Sequence, residues 1–191
     1  MYTKVIVGMA LVLVVLAAGW LFQSKGQQHP PKSSPLPPEK AKEIYLGLRN
    51  LALTANSNLK NSGKPEDPVA VLMELNTGTG NATIVGYGDG TASIYTSAGG
   101  GYLGGGQKYP SIHQAALTLI AVAHRFQARM HTTKDYPLPQ KGEVFFYVVT
   151  GNGVYTVSAP EVELNRRTHP LTELYAAGQD VITQYRLNMP Q

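Results

Sequence analysis

The chain contains no cysteine among its 191 residues. Disulfide bonds, thiolate zinc sites, iron–sulfur clusters and thiol nucleophiles are therefore all excluded. Charge is also scarce, because Asp, Glu, Lys and Arg make up 15% of the chain, against roughly 25% in an average globular protein. Hydrophobic residues make up 43%, which excludes bulk disorder. The composition predicts one folded domain of ordinary size.

The chain also lacks a basic stripe, although its formal net charge is +4. Residues 1–42 contain five lysines and one glutamate, whereas residues 43–191 contain eleven basic and eleven acidic residues. A neutral domain does not have the electrostatic footprint of nucleic-acid binding. We therefore expect no nucleic-acid partner.

A long uncharged stretch, Val5 to Phe22, lies near the N-terminus. A helix of this length spans about 27 Å, close to the hydrocarbon thickness of a bilayer. Residues 1–22 are therefore predicted to form a transmembrane anchor that contacts the lipid bilayer through residues 5–22. A signal peptide cleaved after Gly19 is the alternative, and Trp20, which suits the headgroup region, favours the anchor. Lysines are more numerous after the stretch than before it, which favours a cytoplasmic position for the domain.

Residues 23–38 are rich in Pro and Ser and show no apolar periodicity. This composition is typical of a semi-rigid, extended linker. A Pro-rich recognition motif at Pro35 to Pro38 is the alternative. The globular domain is expected to occupy residues 39–191.

Hydrophobic periodicity divides the domain into three helices and five strands. The first helix is predicted over Glu39 to Ala55, with Ala41, Ile44, Leu48, Leu51 and Ala55 on its buried face. The remaining elements are strands at 69–76, 82–88 and 91–97, a helix at 111–130, strands at 143–150 and 154–159, and a helix from 170 to about 187. The Asp89-Gly90 pair predicts a two-residue type I′ hairpin turn between the second and third strands.

This α-β-β-β-α-β-β-α order predicts an α+β fold, with a five-stranded antiparallel sheet packed against three helices behind the transmembrane helix. The arrangement is similar to the small α+β scaffolds of roadblock, longin and profilin type. That resemblance concerns the fold alone.

The Gly-rich segment from Gly99 to Gly106 is the most unusual part of the sequence. It contains a G-x-G-x-x-G pattern, whose bare backbone can approach a pyrophosphate. However, Lys108 is the only Lys or Arg within twelve residues of Gly99 or of Gly106. We expect the segment to contact a protein partner through Tyr102 and Leu103. A small-molecule or nucleotide-binding, or hydrolytic, domain that uses the loop 99–106 is the alternative.

No pattern in the sequence identifies a catalytic, cofactor or metal site. The chain has no G-x-S-x-G motif for a strained serine nucleophile. His113, His124 and His131 share nearly one helical azimuth, but gaps of about 16 and 10 Å prevent them from sharing one ion. We therefore expect no catalytic residues, no cofactor and no metal, and a protein that is not an enzyme.

The segment GDGTASIYTSAGGGYLGGG, at 88–106, together with the following SIHQAA, resembles a set of small uncharacterised bacterial proteins over roughly residues 69–187. This resemblance implies a bacterial source and hence the inner membrane as the location of a single-pass protein. The expected function is that of a non-catalytic accessory or scaffold subunit, which docks its domain on other membrane protein subunits of a larger complex, for example respiratory or photosynthetic.

Overall fold

The computed structural model describes residues 36–55 and 64–189, which contain four α-helices and seven β-strands. The helices are α1 (Pro38–Leu53), α2 (Pro110–Phe126), α3 (Glu161–Asn165) and α4 (Thr172–Asn188). The strands are β1 (Pro68–Asn76), β2 (Asn81–Tyr87), β3 (Ala92–Thr96), β4 (Gly101–Leu103), β5 (His131–Thr133), β6 (Glu143–Thr150) and β7 (Gly153–Pro160). Short 3₁₀ turns at Gly105–Gln107 and Gln127–Arg129 precede and follow α2.

All seven strands form one antiparallel sheet in the order β4-β3-β2-β1-β6-β7-β5. The fold is α+β, but the prediction of five strands and three helices is wrong. The two additional strands, β4 and β5, lie at opposite edges of the sheet and have three residues each. Neither shows the apolar alternation by which a strand is recognised in a sequence. The additional helix α3 has only five residues, too few for a helical period to show.

The sheet is covered on both faces, so that the domain has three layers. Alternate residues of β1 point to opposite sides: Val71 and Met73 pack with α2 and α4, whereas Ala70 and Leu72 pack with α1. β1 therefore has to be apolar on both faces, and its first seven residues are all buried.

The predicted turn at Asp89-Gly90 is wrong in its length. The amide of Tyr87 donates to the carbonyl of Thr91 at 2.9 Å, and three residues, Gly88 to Gly90, lie between this last hydrogen-bonded pair of the hairpin. Only Gly90 adopts positive φ, at +79°. A three-residue loop requires one residue in the left-handed region, whereas a type I′ turn requires two.

The fold prediction also included a transmembrane helix at the N-terminus. None of the helices formed by residues 36–55 and 64–189 has the length and apolar character needed to cross a membrane. The anchor segment 5–22 lies outside the described residues, as does most of the linker. The folded unit begins at Leu36, and Pro38 is already the first residue of α1.

Candidate docking surface

The orientation of α1 on the sheet is set by a buried ion pair. Arg49 donates from Nε to Glu74 Oε1 at 2.7 Å and from Nη2 to Glu74 Oε2 at 2.8 Å. The Glu74 side chain is fully buried at the centre of the sheet. A buried carboxylate without a partner is strongly unfavourable, so α1 must present Arg49 to the sheet.

Two hydroxyl groups complete this network. Thr83 Oγ1 donates to Glu74 Oε1 at 2.9 Å, and the Tyr45 hydroxyl lies 2.9 Å from Thr83 Oγ1. Because the single Thr83 hydroxyl proton is used for Glu74, Tyr45 is the donor to Thr83. The chain of donors therefore ends at the carboxylate and stabilises its charge.

Burial changes the pKa values of the groups in this network. Burial, and secondarily the negative charge of Glu74, raise the pKa of Tyr45 to about 12. Burial lowers the pKa of the Arg49 guanidinium, but the hydrogen bond and the charge of Glu74 outweigh this effect and leave the pKa above its ordinary value. Arg49 is therefore charged and Tyr45 is neutral at any physiological pH.

The position of Arg49 turns an apolar part of α1 away from the sheet. The prediction that Ala41 and Ala55 are buried is confirmed, but the same prediction for Ile44 and Leu51 is wrong, because their exposed fractions are 43% and 63%. The stripe of Tyr45, Arg49 and Ala52 faces the sheet instead, about 100° around the helix. We call Ile44, Leu48 and Leu51 the outer stripe.

A cavity of about 230 Å³ lies between the first turns of α1 and the β3–β4 hairpin. Ile44 and Leu48 of the outer stripe reach into it from one side, and Leu103 reaches into it from the other. None of the described residues that line the cavity is charged. The lining residues are Leu36, Ala41, Ile44, Tyr45, Leu48, Tyr95, Thr96, Gly99, Gly100, Gly101 and Leu103. The outer stripe and this cavity form a continuous apolar surface.

The structure places the two predicted partner-binding residues on opposite faces of the sheet. Tyr102 and Leu103 are neighbours on β4, and successive side chains of a strand alternate in direction. The Tyr102 ring stacks on the Tyr185 ring of α4, with centroids 5.6 Å apart. Leu103 lines the cavity beside α1 and is 62% exposed. The two side chains therefore cannot enter one pocket of a partner together.

Two amides of the Gly-rich segment already donate within the chain. The amide of Gly99 donates to the Thr96 carbonyl at 3.1 Å, and the amide of Gly105 donates to the Tyr185 hydroxyl at 3.0 Å. A side chain at position 101 would collide with the carbonyl of Ile94. These glycines thus allow close packing of the backbone, and a phosphate cradle would need the same amides to be free.

Within residues 36–55 and 64–189, no group of three or more His, Cys, Asp or Glu is placed to hold a metal ion. His113 lies against Gly90, while His124 Nε2 is 4.0 Å from a carboxylate oxygen of Asp67.

The sequence analysis did not predict the Arg49–Glu74 pair, although a charged residue within a predicted apolar strand indicated it. Glu74 is the only charged residue of strand β1, whose other residues from Pro68 to Leu75 are all apolar. Such a residue at a central strand position requires a buried partner of opposite charge.

In comparisons with known proteins, no family model matched the chain, and neither did any curated protein or solved structure. The resemblance to small bacterial proteins therefore remains a prediction.

Proposed function

We propose that this protein is a non-catalytic, membrane-anchored accessory subunit, which docks its α+β domain on another subunit of a membrane complex. The docking surface is the outer stripe of α1 together with the cavity beside it. Two parts of this proposal rest on the amino-acid sequence alone: the membrane anchor at residues 5–22 and the location in a bacterial inner membrane.

The observation that carries the proposal is the exposure of Ile44 and Leu51 on a helix that is firmly attached to the sheet. Leu51 is 63% exposed, and Leu48 between them is only partly covered. Contiguous apolar patches on a domain surface are typical of protein interaction sites. The ion pair of Arg49 holds these side chains outward.

The partner that fits this surface is an amphipathic helix of another subunit. Residues at i, i+4 and i+7 form a straight ridge, which packs into the groove of a second helix. The uncharged lining of the cavity favours an apolar side chain of that helix over a charged one.

The alternative use of the loop 99–106 for a nucleotide or another anion has less support. The amides of Gly99 and Gly105 already donate within the chain, and the Lys108 ammonium lies 5.2 Å from the centre of the Tyr109 ring. We therefore place the functional surface on α1 and not on the glycines.

Co-purification tests the proposal. The tagged full chain is extracted from its native membrane in a mild detergent, and the subunits recovered in stoichiometric amount are identified. We expect Leu51→Gln combined with Ile44→Gln to reduce this recovery at least about tenfold, since two buried apolar contacts are lost. The matched control is Leu187→Gln on α4, because Leu187 is 74% exposed and lies outside the surface.

Two results would overturn the proposal. One is the absence of any stoichiometric partner for the wild-type chain. The other is equal recovery with the double variant and with Leu187→Gln, at an unchanged melting temperature of the double variant.

A further inference from the structure

No strand formed by residues 36–55 and 64–189 pairs with the outer edge of β4, so its backbone groups can pair with another strand. The Thr96 amide donates to the Gly100 carbonyl, which makes Thr96 and Gly100 a hydrogen-bonded pair of the β3–β4 ladder. Hydrogen-bonded pairs alternate along an antiparallel ladder, so the next one is Ile94 with Tyr102. The N–H and C=O groups of Gly101 and Leu103 therefore point away from β3, toward the outside of the sheet.

The two edges of the sheet differ in their protection. At the β5 edge, His131, Thr132 and Thr133 are followed by Lys134 and Asp135. Charged side chains, lysine above all, are the usual protection of an edge strand against pairing. The β4 edge has no charged residue from Gly99 to Gln107, and its side chains are those of Tyr102 and Leu103.

We propose that two copies of this chain pair through β4 in antiparallel fashion, around a two-fold axis at Tyr102. Gly101 of each copy then faces Leu103 of the other, and the two residues exchange both of their outward hydrogen bonds. The result is one continuous sheet across the pair, which leaves no β4 edge exposed. This inference does not depend on the proposed docking of α1 on another subunit.

The side chains of β4 suit a second copy better than an unrelated strand. On one face, Leu103 stands opposite the bare backbone of Gly101 of the second copy, beside the cavity that Gly99, Gly100 and Gly101 line. On the other face, Tyr102 meets Tyr102 of the second copy, and aromatic pairs stabilise adjacent strands. When two copies pair, the small Gly101 of each therefore faces the larger Leu103 of the other, so the strand is complementary in size to a second copy of itself.

The expected pair is a weak one. Three residues of strand span only about 10 Å, and a stable interface buries on the order of 1,200 to 2,000 Å². The side chains of Tyr102 and Leu103 add little to this, so the interface of the pair falls well below that size. Pairing should therefore depend on protein concentration.

Cross-linking with single cysteines tests the register of this pair. The chain has no cysteine of its own, so each variant of the full chain carries one thiol. Across the two-fold axis, position 102 faces itself in a pair without hydrogen bonds, where Cα atoms are about 4.5 Å apart, within the range of a disulfide. The Cα atoms of position 103 in the two copies are about 8 Å apart, which is beyond that range.

We expect Tyr102→Cys to form at least about ten times more covalent dimer on mild oxidation than Leu103→Cys. Leu103 is the more exposed of the two, so that random collision would give the opposite order. Thr132→Cys on β5 is the control for the other edge and should remain monomeric. Equal cross-linking of the three variants, or more dimer from Leu103→Cys, would overturn the proposal.

Hydrogen exchange of the wild-type full chain gives a second test, which does not depend on the folding of any variant. As the concentration rises, the amides of Gly101 and Leu103 should exchange at least about tenfold more slowly, because pairing covers them. The amide of Tyr102 already faces β3 and should not change. If the exchange of Gly101 and Leu103 is independent of concentration from the micromolar to the millimolar range, two copies do not pair through β4.

Discussion

Arg49 determines which side of α1 the protein shows to its surroundings. Its guanidinium meets both carboxylate oxygens of Glu74, donates from Nη2 to the carbonyl of Pro137 at 3.2 Å, and lies 5.5 Å from the centre of the Tyr147 ring. Buried ion pairs contribute little net stability, but the loss of one partner leaves an uncompensated charge. The pair therefore acts on the orientation of the helix more than on the total stability of the domain.

At the scale of single residues, we predict that Arg49→Met lowers the free energy of unfolding by about 3 to 5 kcal/mol, since Glu74 then remains buried without a counter-charge. Adding Glu74→Leu should recover most of this loss, because an apolar pair of similar volume replaces the ionic one. Chemical denaturation of the single and the double variant measures both effects.

The control for this prediction is Lys40→Met, which removes the exposed pair of Lys40 with Glu43. That pair should contribute about 0 to 1 kcal/mol. If Arg49→Met costs no more than Lys40→Met, the ion pair does not hold α1.

At the scale of elements, α4 joins the helical layer to the Gly-rich segment through one side chain. The Tyr185 hydroxyl donates to the carbonyl of Ala92 at 2.6 Å and accepts from the amide of Gly105 at 3.0 Å. A Cβ at position 105 would lie 2.5 Å from the same hydroxyl, so only glycine fits beneath it. The glycines and the tyrosine therefore depend on one another.

We predict that Tyr185→Phe lowers the free energy of unfolding by about 1 to 3 kcal/mol, because it leaves a buried amide and a buried carbonyl without partners. The amide of Gly105 should also exchange faster with solvent. Tyr175→Phe is the matched control: its hydroxyl donates to Asn165 Oδ1 at 3.1 Å in a partly buried position. Equal effects of the two variants would show that the contact with Gly105 has no special importance.

At the scale of the whole molecule, tyrosine burial determines how stability depends on alkaline pH. Burial, and secondarily Glu74, raise the pKa of Tyr147 to about 12, as they do for Tyr45. Burial also raises the pKa of Tyr95, whose hydroxyl has no hydrogen-bond partner among the described residues. All three side chains belong to the layer between α1 and the sheet.

A raised tyrosine pKa means that the folded state binds its proton more tightly than the unfolded state, where the pKa is about 10. This contribution to stability is complete below pH 10 and is lost as the pH rises to about 12. We therefore predict that the melting temperature falls over this interval, together with the late appearance of tyrosinate absorbance. In Tyr45→Phe combined with Tyr147→Phe the fall should be shallower, and an unchanged slope would contradict the assignment.

The amino-acid sequence by itself determined the long elements of this protein. β1 and β6 are mostly apolar, and α2 and α4 carry apolar residues at helical spacing, so each was predicted close to its observed position. In these elements the local pattern and the burial in the fold agree, because each has to cover a whole sheet or helix face with apolar side chains.

Only the tertiary structure decided the short edge strands and the rotation of α1. β4 and β5 exist because β3 and β7 offer free backbone groups beside them, and a partner strand is not visible in three residues of local sequence. In α1, apolar periodicity favours burial of Ile44 and Leu51, but the charge of Glu74 in the central strand outweighs the gain from two aliphatic side chains. A charge buried 25 residues further along the chain thus decides which face of the helix remains outside.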